Sequence, residues 1–244
     1  MISQASRSQD QFATRRWSVV MQFADAETES PAARDALGEL AQRYSYPAYA
    51  YIRCSGKDPA EAQHLTGQLL RRLVADAPRA SQTHYRQFLL AELGANIGRE
   101  ATQEPITPSG HARADPAALG SLEARYQRDH AGKTTPERAF QRSFALVVLQ
   151  RAIKRLRGEA AQTGHGEMYR ALEPFLAREP TTAQTELLVA RLKLRQMTVI
   201  LALKRLRQRL RELAADELAD TVSTADHLTS EQDALLAVLG ELSK

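Results

Sequence analysis

Between Leu187 and Arg211 the chain carries eight basic side chains, Arg191, Lys193, Arg195, Lys204, Arg205, Arg207, Arg209 and Arg211, and no acidic one. Guanidinium and ammonium groups at this density neutralise phosphates, so the chemistry on offer is the binding of a polyanion. Spacing decides whether they act together. Lys204, Arg207 and Arg211 fall on one face of a helix, with Ile200 one turn before them. Val199, Leu203, Leu206, Leu210 and Leu213 recur at intervals of three and four, which makes an apolar stripe on another face. A shorter helix fits over Glu186 to Leu192, with Leu188 and Leu192 on one side. Two short helices joined by a tight basic turn, the second apolar behind and cationic in front, have the layout of a helix-turn-helix. The competing reading is an ordinary core helix with a solvated basic face.

Other chemistry finds no support in the spacing. The chain has no Gly-rich phosphate loop, no HExxH, no CxxC and no nucleophile elbow. His64, His84, His111, His130, His165 and His227 are scattered at no metal-ligand spacing. The Asp216/Glu217 pair reads as solvated carboxylates on an exposed helix end. No acid, base or nucleophile arrangement is visible, so the expectation is a binding protein, not an enzyme, with no cofactor and no metal.

The elements that must carry the basic stretch are helical. Hydrophobic residues make up 43% and charged residues 25% of the 244, ordinary values for a globular chain. Aromatics are sparse, strand-like alternation of Val, Ile and Thr is nearly absent, and Ala, Leu, Arg, Glu and Gln dominate. The expected class is all-α. Net charge is +4 with a sequence pI near 9.3, compatible with a polyanionic partner. A lone Cys54 excludes an internal disulfide and suits a reducing compartment. The opening MISQASRSQDQFATRRW lacks the apolar segment of a signal peptide, and no apolar run approaches the roughly 18 residues of a membrane span. The expected location is the cytoplasm, without a membrane partner.

In chain order, Thr14 caps a helix to about Asp25, and Pro31 starts another whose inner face includes Leu37, Leu40 and Tyr44. Pro47 is expected to kink or break it. Tyr44, Tyr46, Tyr49 and Tyr51 then cluster, either as a packed seam or as a base-stacking surface, with the seam favoured. Gly56 closes that helix. Asp58, Pro59 and Glu61 open the next with cap, first-turn and capping-box signals, and Leu65, Leu69, Leu70 and Leu73 face inward. A further helix runs from about Gln82 and fades near Glu104. Three prolines and three glycines mark residues 104–135 as a linker, with a short helix around Leu119 to Gln127. Thr135, Pro136 and Glu137 begin the second half, whose helix carries Phe140, Phe144, Val147, Val148 and Leu156 to Arg157. A turn at Gly164 to Gly166 precedes Met168, Tyr169, Leu172 and Phe175. A last amphipathic helix spans Ser230 to Leu242. The expected domains are 1–103, a linker at 104–135, and 136–244.

Three stretches together resemble bacterial RNA polymerase sigma factors of the extracytoplasmic-function type. TRRWSVVMQFAD followed by ELAQRYSYPAYAYIRCSGKDPAEAQHLTGQLLRRLVAD is similar to the helical domain that docks on core polymerase. THYRQFLLAELGANIGRE is similar to the promoter-opening helix, and the basic stretch is similar to the C-terminal helix-turn-helix. The resemblance implies core RNA polymerase and promoter DNA as partners, with an anti-sigma or other regulatory protein as a further one. It places polymerase contacts at Glu61, His64, Leu65, Gln68 and Arg72, and DNA contacts at Arg191, Lys193, Arg195, Lys204, Arg205, Arg207 and Arg211. The chain departs from the family at His64, Gly67 and Gln68, where Asp, Gln and Glu are usual, and at Lys193, where the turn glycine is usual. These departures support a second expectation, a sigma-like fold serving as a protein-interaction module, with Val199, Ile200 and Leu201 as its partner patch.

Overall fold

The computed structural model describes residues 31–75, 89–95, 116–130 and 134–219; side chains are described within residues 41–72, 89–95, 121–130 and 134–218. Every regular element among them is helical. The order is α1 (Pro31–Cys54), α2 (Pro59–Ala75), α3 (residues 89–95), α4 (Pro116–Asp129), α5 (Pro136–Gln162), α6 (Gly166–Leu172) continuing into a 3-10 turn (Glu173–Phe175), α7 (Thr182–Leu192) and α8 (Gln196–Ala219). The expected helices at Thr14 to Asp25 and Ser230 to Leu242 lie outside the described residues. No helix among the described residues is long and apolar enough to cross a membrane.

The start signals work as read. The Glu61 N–H donates to the Asp58 carboxylate at 2.9 Å, and the Arg138 N–H donates to the Thr135 hydroxyl, so each cap satisfies one orphan donor. Gly56 has φ +94° just past α1, a conformation that suits glycine because it has no Cβ. Pro47 does not break the helix. It lies inside a helix that continues to Cys54, and it is fully buried. Proline removes one ladder hydrogen bond, but burial of Tyr46, Ala48, Tyr49 and Ile52 on both sides holds the helix together across it.

α5 is the spine, five residues longer than its expected end at Arg157. Its first half, Phe140, Phe144, Ala145 and Val148, joins Tyr44, Tyr49 and Ile52 of α1, Leu65 and Leu69 of α2, and Leu89 and Leu93 of α3 in one core. Tyr44 and Phe144 stack with centroids 5.8 Å apart. All four tyrosines of the 44–51 cluster are buried, as the packed-seam reading requires. Its second half, Ala152, Leu156 and Ala160, packs on Tyr169 and Leu213. Leu218, near the end of α8, belongs to the first core. The two halves expected as separate domains therefore share buried side chains.

The segment expected as a linker contains α4, which is clamped to α1. Arg53 donates to both oxygens of Glu123 at 2.9 Å, Tyr49 donates its hydroxyl to the same carboxylate, and Tyr46 donates to Asp129 at 2.7 Å. The Arg125 guanidinium lies 3.7 Å from the centroid of the Tyr46 ring. Charge-assisted pairs of this sort hold α4 in place although its own apolar face is narrow.

Candidate nucleic-acid interface

The cationic stretch is built on two helices and the turn between them. Thr181 and Gln184 form a reciprocal capping box, so α7 begins at Thr182, four residues before the expected Glu186. The Thr-x-x-Gln signal was present in the sequence. Lys193 ends α7 in the left-handed conformation (φ 54°, ψ 37°), and its N–H donates to the Val189 carbonyl. α8 then starts from Arg195, whose carbonyl accepts from the N–H groups of Thr198 and Val199. Residues 193–195 thus form the turn between the two helices.

The apolar back of α8 is as read. Val199, Leu203 and Leu213 are buried, with Leu206 and Leu210 partly so. Val199 and Leu203 meet Ala171, Leu172, Phe175 and Leu188, a small core that fixes the angle between α6, α7 and α8. At about 1.5–3 kcal/mol for each fully buried aliphatic side chain, this back is what positions the cations in front.

The eight cations divide into two sets. Arg191, Lys193, Arg195, Lys204 and Arg205 are exposed, and no carboxylate pairs with them among the described residues. Arg211 is also exposed and donates only to its neighbour Gln208. Arg207 and Arg209 are engaged within the fold. Arg207 donates to the backbone carbonyls of Phe175 at 2.8 Å and Arg178 at 2.7 Å, and pairs with Glu179. It therefore caps carbonyls at and after the 3-10 turn, so of the expected DNA contacts it is the one engaged within the fold. Arg209 forks onto both oxygens of Glu159 at 2.9 Å, tying α8 to α5 and holding the Glu159 carboxyl below its ordinary range.

The front also carries apolar side chains that the sequence reading placed differently. Val199 is a core residue, 1% exposed, and drops out of the expected patch because it faces Leu172 and Leu188. Ile200 and Leu201 are 44% and 48% exposed, and Met197 and Leu187 are exposed as well. The large apolar side chains exposed among the described residues are therefore Leu187 on α7 and Met197, Ile200 and Leu201 on α8.

Of the expected polymerase contacts on α2, His64 and Arg72 are exposed, with the His64 ring 2.8 Å from the Gln68 amide. Glu61 is half-buried and paired with Lys57. Leu65 is corrected. It is buried in the main core, where no partner reaches it.

One buried charge was not legible in the sequence. Glu217, expected as a solvated carboxylate, is 5% exposed, while its neighbour Asp216 faces solvent. Arg151 donates to Glu217 Oε2 at 2.8 Å and Arg155 to Oε1 at 3.1 Å, while Arg43 donates to the Glu217 backbone carbonyl. Burial pushes this carboxyl up, and the arginines, Arg151 foremost, more than offset that and hold it below its ordinary value. Only the tertiary fold brings residues 43, 151 and 217 together, so no local signal existed.

Among the described residues no group of three or more His, Cys, Asp or Glu side chains is placed to hold a metal. Comparison with family models, with curated proteins and with solved structures returns no match.

Proposed function

We propose that the chain binds duplex DNA through α7 and α8, used as a helix-turn-helix, and works as a sigma-factor-like protein in transcription initiation. The observation that carries this reading is the division of the cations. Arg191, Lys193, Arg195, Lys204, Arg205 and Arg211 stand exposed without a carboxylate among the described residues, whereas Arg207 and Arg209 bond to other parts of the fold. A solvated basic face has no reason to exclude acidic residues over this whole stretch. A phosphate-binding face does, because each carboxylate would repel the ligand. Core RNA polymerase is the protein partner implied by the sequence resemblance, with His64, Gln68 and Arg72 on α2 as its contacts.

The test is a duplex titration of the full chain at several salt concentrations. Affinity falls with salt, and the log–log slope drops by about two when Lys204→Glu and Arg211→Glu are combined. Salt-independent binding, or none at low salt, ends the DNA reading.

The second reading, a protein-interaction module, is favoured by Ile200 and Leu201. Their side chains stand where base edges would be read, and they can touch a thymine methyl but cannot exchange hydrogen bonds with a base. Under it, Ile200→Glu dissolves a complex seen by sedimentation, and duplex affinity is negligible.

A further inference from the structure

The front of α8 changes character along its length. Met197, Ile200, Leu201 and Lys204 stand at i, i+3, i+4 and i+7, so they share one side of the helix, away from the buried Val199 and Leu203. The first three are large, apolar and exposed, and they fall in the first two turns. Lys204 and Arg211 continue the same side with charge. No Arg or Lys occurs in α8 before Lys204.

A helix-turn-helix presents the N-terminal residues of its second helix to base edges, while cations around them hold phosphates. Arginine and lysine are the usual readers of guanine, and here the base-reading turns contain neither. Apolar side chains in that position find one apolar group in the major groove, the 5-methyl of thymine. Over a G·C pair they cover the guanine acceptors and the cytosine amino donor without returning a hydrogen bond, which costs affinity. Gln196, exposed in the first turn, points to the same base pair, because a glutamine amide matches adenine N6 and N7.

We infer that the first two turns of α8 select A·T pairs through thymine methyl groups, with Met197, Ile200 and Leu201 as the specificity-determining residues. This rests on the duplex-DNA reading above and adds to it what the site selects.

The experiment isolates the methyl group. The full chain selects duplexes from a pool with a randomised centre, and the winning duplex is resynthesised with deoxyuridine for thymine. That exchange removes the methyl and keeps every hydrogen-bonding group. The winner is expected to carry adjacent A·T pairs, and the exchange to weaken binding several-fold. Ile200→Ala/Leu201→Ala changes two exposed positions to a good helix former, so the fold is kept. In this variant the two duplexes are expected to bind equally, with the parent's salt slope. Lys204→Glu is expected to weaken both duplexes alike and keep their ratio. Equal binding of both duplexes by the parent, with salt-dependent affinity intact, overturns the methyl readout and leaves the DNA reading standing. A winner made of G·C pairs does the same. A several-fold ratio that survives the alanine variant overturns the assignment to Ile200 and Leu201. Absence of duplex binding at low salt ends the DNA reading and this inference with it, and passes these side chains to the protein-interaction reading.

Discussion

Arg151 donates its Nε–H to Glu217 across 2.8 Å, and this bond joins the middle of α5 to the end of α8. Arg155 takes the other carboxylate oxygen, and Arg43 brings in α1. Three cations on one buried carboxylate form a locked junction, because removing the anion leaves three guanidiniums facing each other. Glu217→Gln preserves shape and removes the charge. It should cost about 2–3 kcal/mol, less than a fully buried pair because the arginines keep partial access to water. Urea denaturation measures this, and an unchanged midpoint would show that the junction is ornamental.

Acid stability follows from Glu123. Its bidentate bond from Arg53 holds the carboxyl at about 2, against an ordinary 4.5. A depressed carboxylate contributes stability that is complete above the unfolded value and lost as pH falls through the folded one. The thermal midpoint should therefore decline as pH falls from about 4.5 toward about 2. Glu217, depressed in the same direction, adds to the decline. Glu123→Gln should make the profile shallower; an identical profile would remove Glu123 from the account.

Arg207 and Arg211 occupy neighbouring turns of α8 and should behave oppositely. Arg207→Ala strips the caps from the Phe175 and Arg178 carbonyls and should cost about 1–3 kcal/mol. Arg211→Ala should stay within about 0.5 kcal/mol of the parent, since its exposed side chain makes only a contact with Gln208. Paired thermal melts decide it, and equal costs would mean Arg207 is as dispensable to the fold as Arg211.

Lys193 sets stability against charge. A side chain in the left-handed region costs about 1 kcal/mol that glycine avoids. Lys193→Gly should raise stability by a net 0.5 kcal/mol or so, after the greater entropy of glycine in the unfolded chain is subtracted. It should also lower the salt slope of duplex binding by about one. A variant that is more stable and binds duplex with the parent slope would place Lys193 away from the phosphates.

The sequence was most legible where signals are local. Asp58 and Thr135 cap helices in the positions their spacing announced, and Val199, Leu203 and Leu213 turn inward as their period demands. Arg207 and Arg211 were indistinguishable by period, because what separates them is a carbonyl cluster brought in by α6 and the turn after it. Glu217 was unreadable for the same reason on a larger scale. Its partners lie 174 and 66 residues away, and only packing reveals that an acidic residue near a helix end is buried. Pro47 failed as a break signal because burial on both sides outweighs one missing hydrogen bond.

The contact between Arg43 and Glu217 also sets a schedule for making the protein. Leu218 completes the core around Tyr44, so α1 leaves the ribosome long before its last partner has been synthesised. At about 5–20 residues per second, those 174 residues take roughly 10–35 s. Throughout that interval the core around Tyr44 lacks Leu218, and a chaperone that shields the nascent chain would act then.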